Sequence, residues 1–213
     1  MYLAIEGVIG VGKTTLARLL QPAFQAENLL EVFEENPFLS KFYADRARYA
    51  FQTQMFFLLS RFQQQKRAIP PCLAEGKTLI SDYIFEKDAL FARLNLDGDE
   101  LVMYNRVQAA LAEQIPAPDL TIYLRADTDT LMQRIALRDR PYERNMERAY
   151  IDELNRAYDD LFLDPNRAAP TLVIETDTLD FVRRTADLRL VEDRIRQTLH
   201  LSPYQPELPL SPA

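Results

Sequence analysis

The sequence predicts an α/β fold in which a parallel sheet of five strands lies between two layers of helices. Short apolar segments with strand character alternate along the 213 residues with longer segments of helical spacing. Strands that alternate with helices form parallel sheets covered on both faces. In addition, the first strand runs directly into residues 7–15, GVIGVGKTT, which match the phosphate-loop pattern G-x-x-x-x-G-K-[ST].

The residue types of this loop suit a bound triphosphate. Its glycines let consecutive backbone N–H groups curl around an anion, Lys13 can reach the β- and γ-phosphates, and the Thr14 hydroxyl can join a Mg²⁺ shell. A chance match in a glycine-containing turn is the alternative, but strand, loop and helix follow in the required order. The nucleotide-binding residues predicted here are Gly7, Val8, Ile9, Gly10, Val11, Gly12, Lys13, Thr14 and Thr15.

The amino-acid composition argues against some classes of binding partner. The net charge of −7 argues against non-specific nucleic-acid binding, which needs a basic face. No apolar run approaches the roughly 20 residues that span a bilayer, and the first residues lack the basic region of a signal peptide. The single cysteine, Cys72, permits no internal disulfide and is interpreted as a buried apolar filler. We therefore expect a soluble, cytoplasmic protein without nucleic-acid or membrane partners.

The first half of the chain yields three strands. Residues 2–5 are a short apolar run that predicts a buried strand, and residues 30–33 are predicted as a short second strand that ends in an acidic turn at Pro37. Helical spacing covers residues 15–20 and then 37–69, with a break expected near Asp45 and an end at Pro70 and Pro71. Residues 76–82 are predicted to form a turn and a buried strand that ends in Asp82.

The second half continues the alternation. Strands are predicted at residues 119–124 and 171–174, and helices at 85–94, 100–114, 130–138, 147–162 and 185–199. Thr128 and Asp129 are expected to cap the helix that follows them. The only histidine, His200, is placed in the last helix, which argues against a Ser-His-Asp triad or a multi-histidine metal site. We expect one domain over residues 1–200 and a proline-rich tail at 201–213, either disordered or an extended arm.

Several acidic residues are candidates for chemistry. Asp82 follows an apolar strand at the sheet's carboxyl edge, where a second acid would help hold Mg²⁺; an ordinary turn residue or helix cap is the alternative. Glu31 is a candidate to accept a proton from a hydroxyl group, with Glu34 and Glu35 as competitors. Any of these three glutamates could equally be solvated.

Three arginines form a basic group in the second half. Arg134 and Arg138 share a helix face, and Arg140 follows in a charged loop. Guanidinium groups on such a loop suit a lid that closes over phosphates. A solvated basic end of a helix is the alternative.

These residues belong to a longer ordered series of motifs. The phosphate loop is followed by Glu-x-Phe-x-Glu-Asn-Pro at residues 31–37, Phe-Tyr at 42–43, Phe-Gln-Thr-Gln at 51–54 and then Arg61. Ser-Asp-Tyr at 81–83, Lys-Asp-Ala-Leu-Phe at 87–91 and Arg-Ile-x-x-Arg-x-Arg at 134–140 complete it. In this order the chain resembles the deoxynucleoside kinases, in particular the bacterial deoxyadenosine/deoxyguanosine kinases, over almost all of its length except the tail.

The resemblance implies an acceptor site for a deoxynucleoside. Glu31 matches the acid that takes the proton of the sugar 5′-hydroxyl. Tyr43 and Glu143 match the groups that hold the 3′-hydroxyl, and Gln54 matches the amide that pairs with the base edge. The charged pair that lines the implied base pocket is Arg61 and Asp88.

The resemblance also implies a donor site for ATP with Mg²⁺. Asp82 matches the acid of the family's Asp/Glu-Arg-Ser motif and joins Thr14 as a candidate metal ligand. Asp180 and Phe181 resemble a loop that wraps the donor adenine. The implied lid consists of Arg134, Arg138 and Arg140.

One position departs from the pattern of many relatives. Tyr83 stands where they carry an arginine that helps to bind phosphate and orient the base. Lys87, five residues beyond Asp82, is the candidate to replace this cation, and an exposed helix residue is the alternative.

The expectation is therefore a P-loop three-layer sandwich with an arginine-rich lid that transfers the γ-phosphate of ATP to the 5′-hydroxyl of a purine deoxynucleoside. A nucleoside monophosphate kinase of the thymidylate type is the nearest alternative, with Arg61 holding an acceptor phosphate. Against it, Glu31 would repel that phosphate and the Asp-Arg pair of thymidylate kinases is absent. A nucleotide-dependent switch without turnover is a further alternative. The resemblance also suggests a homodimer through the helices after the second and third strands.

Overall fold

The computed structural model describes residues 1–32, 35–167 and 169–203. Its centre is a sheet of five parallel strands in the order β2-β3-β1-β4-β5, flanked by helices, which confirms the predicted fold class. The strands are β1 Tyr2–Glu6, β2 Ala26–Leu29, β3 Thr78–Ser81, β4 Leu120–Arg125 and β5 Thr171–Glu175. The helices are α1 Lys13–Phe24, α2 Leu39–Ala44, α3 Arg46–Ala74, α4 Glu86–Asn95, α5 Gly98–Ala112, α6 Thr128–Arg138, α7 Arg148–Phe162 and α8 Thr185–Thr198.

Strand β1 lies in the middle of the sheet. It pairs with β3 through Tyr2 opposite Leu79 and with β4 through Leu3 opposite Leu120. All five residues of β1 are buried, as expected for a parallel strand that is covered on both faces. The phosphate loop, which follows β1 directly, therefore emerges at the centre of the sheet's carboxyl edge.

Apolar side chains form two clusters. The larger one joins the sheet to α1, α7 and α8 and includes Leu16, Ile122 and Ile195, all fully buried. The smaller one lies between α3, α4 and α5 and includes Leu58 and Tyr104. None of the helices within the described residues is long and apolar enough to cross a membrane.

The second strand differs from its prediction. It covers Ala26–Leu29 instead of residues 30–33, of which Phe33 lies outside the described residues. β2 is an edge strand that pairs only with β3, so Glu27 can stay exposed and the strand lacks an apolar signature. As a consequence Glu31 follows the carboxyl end of β2, on the same edge of the sheet as the phosphate loop.

Helix α3 passes through the predicted stop at Pro70 and Pro71 and ends at Ala74. Proline removes a backbone donor, which weakens a helix. Here both prolines are on the exposed side, while Ile69 and Cys72 are buried in the larger cluster and hold the last turn against the sheet. The predicted break at Asp45 is confirmed, since its carboxylate accepts the backbone N–H of Arg48 at 3.3 Å at the start of α3.

Two further boundaries were predicted wrongly. Helix α6 begins at Thr128, with Asp127 at its N-cap and no side-chain capping bond. Thr128 donates instead to Asp152 of α7 at 3.0 Å, because the first turn of α6 packs on that helix. His200 lies beyond α8, with a φ of 55°. Most of the predicted tail, residues 204–213, falls outside the described residues.

The start of the phosphate loop tolerates no side chain at Gly7. This residue has a φ of +147°, and a Cβ built on it would overlap the backbone carbonyl of Leu124 in β4. Gly76 also has a positive φ, +71°, but a Cβ there would meet nothing within 4 Å. Alanine substitutions at these two glycines therefore distinguish the cost of backbone strain, which both would have, from the cost of steric overlap, which only Gly7 would have.

We predict that Gly7→Ala lowers the free energy of unfolding by about 2–5 kcal/mol, the sum of left-handed strain and overpacking. Gly76→Ala, the matched control, should cost only the strain, about 1–2 kcal/mol. Urea denaturation measures both values. Equal losses for the two variants would contradict the overlap with β4.

Candidate active site

The carboxyl ends of β1, β2 and β3 open into one cleft, with the phosphate loop on one side and α2, α3, α4 and the α6–α7 connection around it. Thirteen of the predicted site residues line this cleft, among them residues from both implied substrate sites. The residues that line it are Ile9, Gly10, Lys13, Thr14, Glu31, Leu39, Phe42, Tyr43, Thr53, Gln54, Phe57, Arg61, Asp82, Lys87, Phe91, Arg138, Arg140, Tyr142, Glu143 and Tyr150.

Lys13 lies over the phosphate loop. Its Nζ donates to the carbonyl oxygens of Gly7 at 2.7 Å and Val8 at 3.2 Å. Burial, together with the nearby Lys87 ammonium, lowers the pKa of Lys13 to about 8. A phosphate placed in the loop would offer this ammonium a better partner than two neutral carbonyls.

Asp82 connects three segments at the end of β3. One oxygen of its buried carboxylate accepts the Thr14 hydroxyl, and the other accepts the backbone N–H of Glu31 at 2.7 Å. It does not cap α4, whose N-cap position is taken by Phe85. A hydroxyl and a carboxylate in direct contact are the hard oxygen ligands that suit Mg²⁺. Among the described residues, no group of three or more His, Cys, Asp and Glu side chains forms a metal site.

The Glu31 carboxylate is held by two cations. Arg61 donates to its Oε1, with Nε at 3.0 Å, and Lys87 donates to its Oε2 at 2.8 Å. Burial alone would raise the pKa of Glu31, but the charges of Arg61 and Lys87 outweigh it and hold the pKa well below its usual range. Glu31 is therefore a fixed, ionised carboxylate at neutral pH. Of its competitors, Glu35 is exposed and Glu34 lies outside the described residues.

Arg61 bridges two acids. Its Nη1 pairs with Asp88, while Nε and Nη2 bind Glu31. The guanidinium group also lies over the Phe57 ring, 4.4 Å from the ring centre. Asp88 is fully buried behind Arg61 and is not among the residues that line the cleft. The structure therefore places Asp88 where it orients Arg61.

Lys87 is only 6% exposed, so its interpretation as an exposed helix residue was wrong. It reaches Glu31 from α4 and lines the cleft. Tyr83 is fully buried, and its hydroxyl donates to Gln64 at 2.8 Å. Lys87, four residues later, reaches the Glu31 carboxylate.

The far wall of the cleft carries uncharged polar groups. The side-chain amide of Gln54 has no hydrogen-bond partner among the described residues, although Gln54 is only 3% exposed. The Tyr43 ring stacks on Tyr142, with ring centres 6.0 Å apart and an interplanar angle of 13°. Gln54 thus presents a donor and an acceptor to whatever enters the cleft.

The three arginines predicted to form a lid do not lie together. Arg138 pairs with Glu143 at 2.6 Å and Arg140 approaches the same carboxylate at 3.6 Å, and both line the cleft. Arg134 points away from it and donates to the carbonyls of Val11 at 3.3 Å and Thr176 at 2.6 Å. Arg134 therefore joins the phosphate loop to the end of β5.

The segment predicted to wrap the donor base lies beside the loop. The Phe181 ring packs on Gly12, where a Cβ would come within 3.0 Å of it. The Asp180 carboxylate accepts the backbone N–H groups of Val182 at 3.2 Å and Arg183 at 3.0 Å, which fixes a turn. Phe181 therefore contacts the loop, whereas Asp180 shapes the turn that presents it.

Sequence reasoning missed several cleft residues. Thr53 and Phe57 precede Arg61 by eight and four residues on α3, so a helical wheel centred on Arg61 would have found them. Phe91 lies four residues after Lys87 on α4 in the same way. Phe42 precedes Tyr43 in the Phe-Tyr motif at 42–43. No comparable signal marks the others, which are Leu39, Tyr142 and Tyr150.

Comparison with known proteins decides the family. Residues 3–200 match the family model described as deoxynucleoside kinase. The chain belongs to the deoxynucleoside kinase family. The deoxyguanosine kinase of Bacillus subtilis (strain 168) is 34% identical over 201 residues, which cover 93% of this chain and 97% of that protein. The deoxyadenosine/deoxycytidine kinase of the same organism is 28% identical over 205 residues, 93% of each chain.

Solved structures agree with the fold of this kinase. The structure of deoxyadenosine kinase from M. mycoides with bound dCTP matches it with a TM-score of 0.79 and 25% identity, over 92% of this chain and 100% of that one. The predicted deoxynucleoside kinase function is confirmed at the level of the family, as is the class of ATP-dependent phosphotransferase. None of these comparisons favours the thymidylate kinase alternative.

Proposed function

We propose that this kinase transfers the γ-phosphate of ATP to the 5′-hydroxyl of a purine deoxynucleoside, deoxyadenosine or deoxyguanosine. The observation that carries the proposal is the shared cleft, in which the Gln54 amide and the Glu31 carboxylate face the same space as Lys13 and Thr14 of the phosphate loop. Relatives named deoxyguanosine kinase and deoxyadenosine/deoxycytidine kinase support a nucleoside acceptor with a purine base.

The acceptor binds between the sheet edge and α3 in this proposal. Gln54 pairs with the base edge, because its amide both donates and accepts and has no partner in the described structure. Arg61, backed by Asp88, forms the charged side of the base pocket. Tyr43 and Glu143, which line the same cleft, hold the 3′-hydroxyl and so favour deoxyribose.

Glu31 accepts the proton of the 5′-hydroxyl. Its two cationic partners keep it ionised, so the base is in its active form at neutral pH. Arg61 and Lys87 also make Glu31 a weaker base. Phosphoryl transfer passes through a loose transition state, however, so the attacking hydroxyl needs to be oriented more than it needs to be deprotonated early. Arg61 and Lys87 supply that orientation by fixing both carboxylate oxygens.

The donor triphosphate binds in the phosphate loop with Lys13 on its β- and γ-phosphates. Thr14 and Asp82 would hold Mg²⁺, whose charge offsets that of the transferring phosphoryl group. Lys87, next to Glu31, contacts the transferring group in place of the arginine of other relatives. Arg138 and Arg140 close over the phosphates, Arg134 keeps the loop in place, and Asp180 and Phe181 position the donor adenine.

A homodimer through α3 and α5 fits the exposed apolar side chains of these helices. Leu59 is 47% exposed, and Val102 and Met103 are 51% and 59% exposed. A second copy of the chain on this face would cover them. We place the enzyme in the cytoplasm, where the buried free thiol of Cys72 stays reduced.

We predict phosphate transfer from ATP to deoxyadenosine and deoxyguanosine and none to dTMP when the three acceptors are assayed side by side. A neutral acceptor can approach the Glu31 carboxylate, whereas the phosphate of dTMP would be repelled by it. Chromatography of the labelled products measures the transfer. Preferred phosphorylation of dTMP would overturn the proposal in favour of a nucleoside monophosphate kinase.

We predict that Glu31→Gln lowers kcat by roughly 10²-fold or more, the usual scale of positioned proton transfer, while the Kd of the nucleoside changes little. The amide oxygen can still accept from one of the two cations, but the NH2 group accepts from neither, and the amide cannot take the proton. Glu35→Gln is the matched control, since Glu35 is exposed in the following turn. If that control loses more turnover than Glu31→Gln, Glu31 is not the base.

We predict that Lys87→Ala lowers kcat by about 10²-fold, the scale for a lost charge-stabilising donor. Lys66→Ala on the exposed face of α3 should leave kcat unchanged, because Lys66 donates only to Gln114 at the surface. Steady-state kinetics with saturating ATP measures both variants. A near-normal kcat of Lys87→Ala would rule out contact with the transferring group.

A further inference from the structure

Thr53 carries an unexplained polar group in the cleft wall. It is only 1% exposed, and its hydroxyl oxygen is buried without a hydrogen-bond partner in the described part of the chain. A threonine inside a helix ordinarily donates to a carbonyl of the preceding turn, but the Thr53 hydroxyl does not. A buried hydroxyl without a partner costs stability, and because Thr53 lines the cleft, a ligand bound there is in a position to supply the partner.

The position of Thr53 is fixed by its neighbours. Asn36 donates to the Thr53 carbonyl at 3.2 Å and accepts the backbone N–H of Phe38 at 3.0 Å, which ties α3 to the segment between Glu31 and α2. Thr53 precedes Gln54 directly, and both residues line the cleft. Thr53 therefore belongs to the same wall of the cleft as Gln54.

The Gln54 amide alone does not suit both purines. It has one donor side and one acceptor side, which match the N6 donor and N7 acceptor of adenine. Guanine presents two acceptors, N7 and O6, at the corresponding edge, so the amide oxygen would face an acceptor. A rotatable hydroxyl next to the amide removes this conflict, because it can donate to guanine or accept from adenine.

We infer that the Thr53 hydroxyl is a second contact to the purine base. Guanine presents two acceptors, N7 and O6, and the Thr53 hydroxyl donates to the one that the Gln54 amide does not reach with its donor side. The inference rests on the proposed function, since it assigns a specificity-determining residue to the acceptor site. Thr53 then explains how one pocket accepts two bases with different edges.

The test is Thr53→Val, which keeps the shape of the side chain and removes the hydroxyl. We expect kcat/KM to fall about tenfold or more for deoxyguanosine, the scale of one lost hydrogen bond, and by no more than about threefold for deoxyadenosine. Deoxyinosine, which shares N7 and O6 with guanine, should lose as much as deoxyguanosine. Equal losses for all substrates, a larger loss for deoxyadenosine, or no loss would each overturn the inference.

A matched control is available in Thr121 of β4. It is fully buried and its hydroxyl likewise has no partner in the described residues, but it does not line the cleft. Thr121→Val should leave the ratio of the two kcat/KM values unchanged. The Tm of Thr53→Val should not fall, because removing an unpaired hydroxyl relieves a cost.

A second variant guards against a folding defect. Thr53→Ser keeps the hydroxyl and loses a methyl group, so it should retain the wild-type ratio of deoxyguanosine to deoxyadenosine turnover. A ratio in Thr53→Ser as low as in Thr53→Val would overturn the inference. A wild-type enzyme that phosphorylates neither purine deoxynucleoside contradicts the proposed function itself, whereas an active wild type with an unchanged Thr53→Val contradicts only the role of Thr53.

Discussion

The Asp82 carboxylate accepts hydrogen bonds from two segments that no strand pairing connects. One oxygen takes the Thr14 hydroxyl at the start of α1, and the other takes the backbone N–H of Glu31 after β2. Because Asp82 directly follows β3, its side chain joins the phosphate loop to the segment that carries Glu31. The geometry of the cleft depends on these contacts. The proposed donor and acceptor sites stay adjacent only while the phosphate loop, the end of β3 and the segment of Glu31 remain together.

Three buried charged side chains and the half-buried Glu31 lie beside that junction. Glu31 and Asp88 carry the negative charges, and Arg61 and Lys87 carry the positive ones. Burying an isolated charge is very unfavourable, whereas a paired and hydrogen-bonded set is tolerated and holds a defined geometry. Arg61 of α3 and Lys87 of α4 both bind the Glu31 carboxylate. Because the smaller apolar cluster packs these two helices together, its packing affects the orientation of Glu31.

The phosphate-loop pattern and the alternation of strands and helices were sufficient to predict the fold, because these signals are local. They also predicted the donor side of the cleft, whereas Tyr43, Gln54, Arg61 and Glu143 were predicted from the family resemblance. The errors arose where tertiary contacts decide. The edge strand β2 has no apolar run, and α3 continues past Pro70 because buried neighbours hold its last turn. Spacing placed Arg134 with the other two arginines, but only the packed structure shows it turned toward Thr176. Helical spacing could have placed Thr53 in the cleft, but only the packed structure shows that its hydroxyl has no partner among the described residues.

Glu143 occupies a position between the wall of the cleft and the segment that carries Arg138 and Arg140. Its carboxylate has two oxygens, and both arginines already draw on them. Any group in the cleft that hydrogen-bonds to Glu143 competes with these guanidinium groups, and any anion that attracts the guanidinium groups frees the carboxylate. Binding of a ligand to Glu143 and binding of an anion to Arg138 and Arg140 are therefore thermodynamically linked. Each event changes the free energy of the other by the same amount.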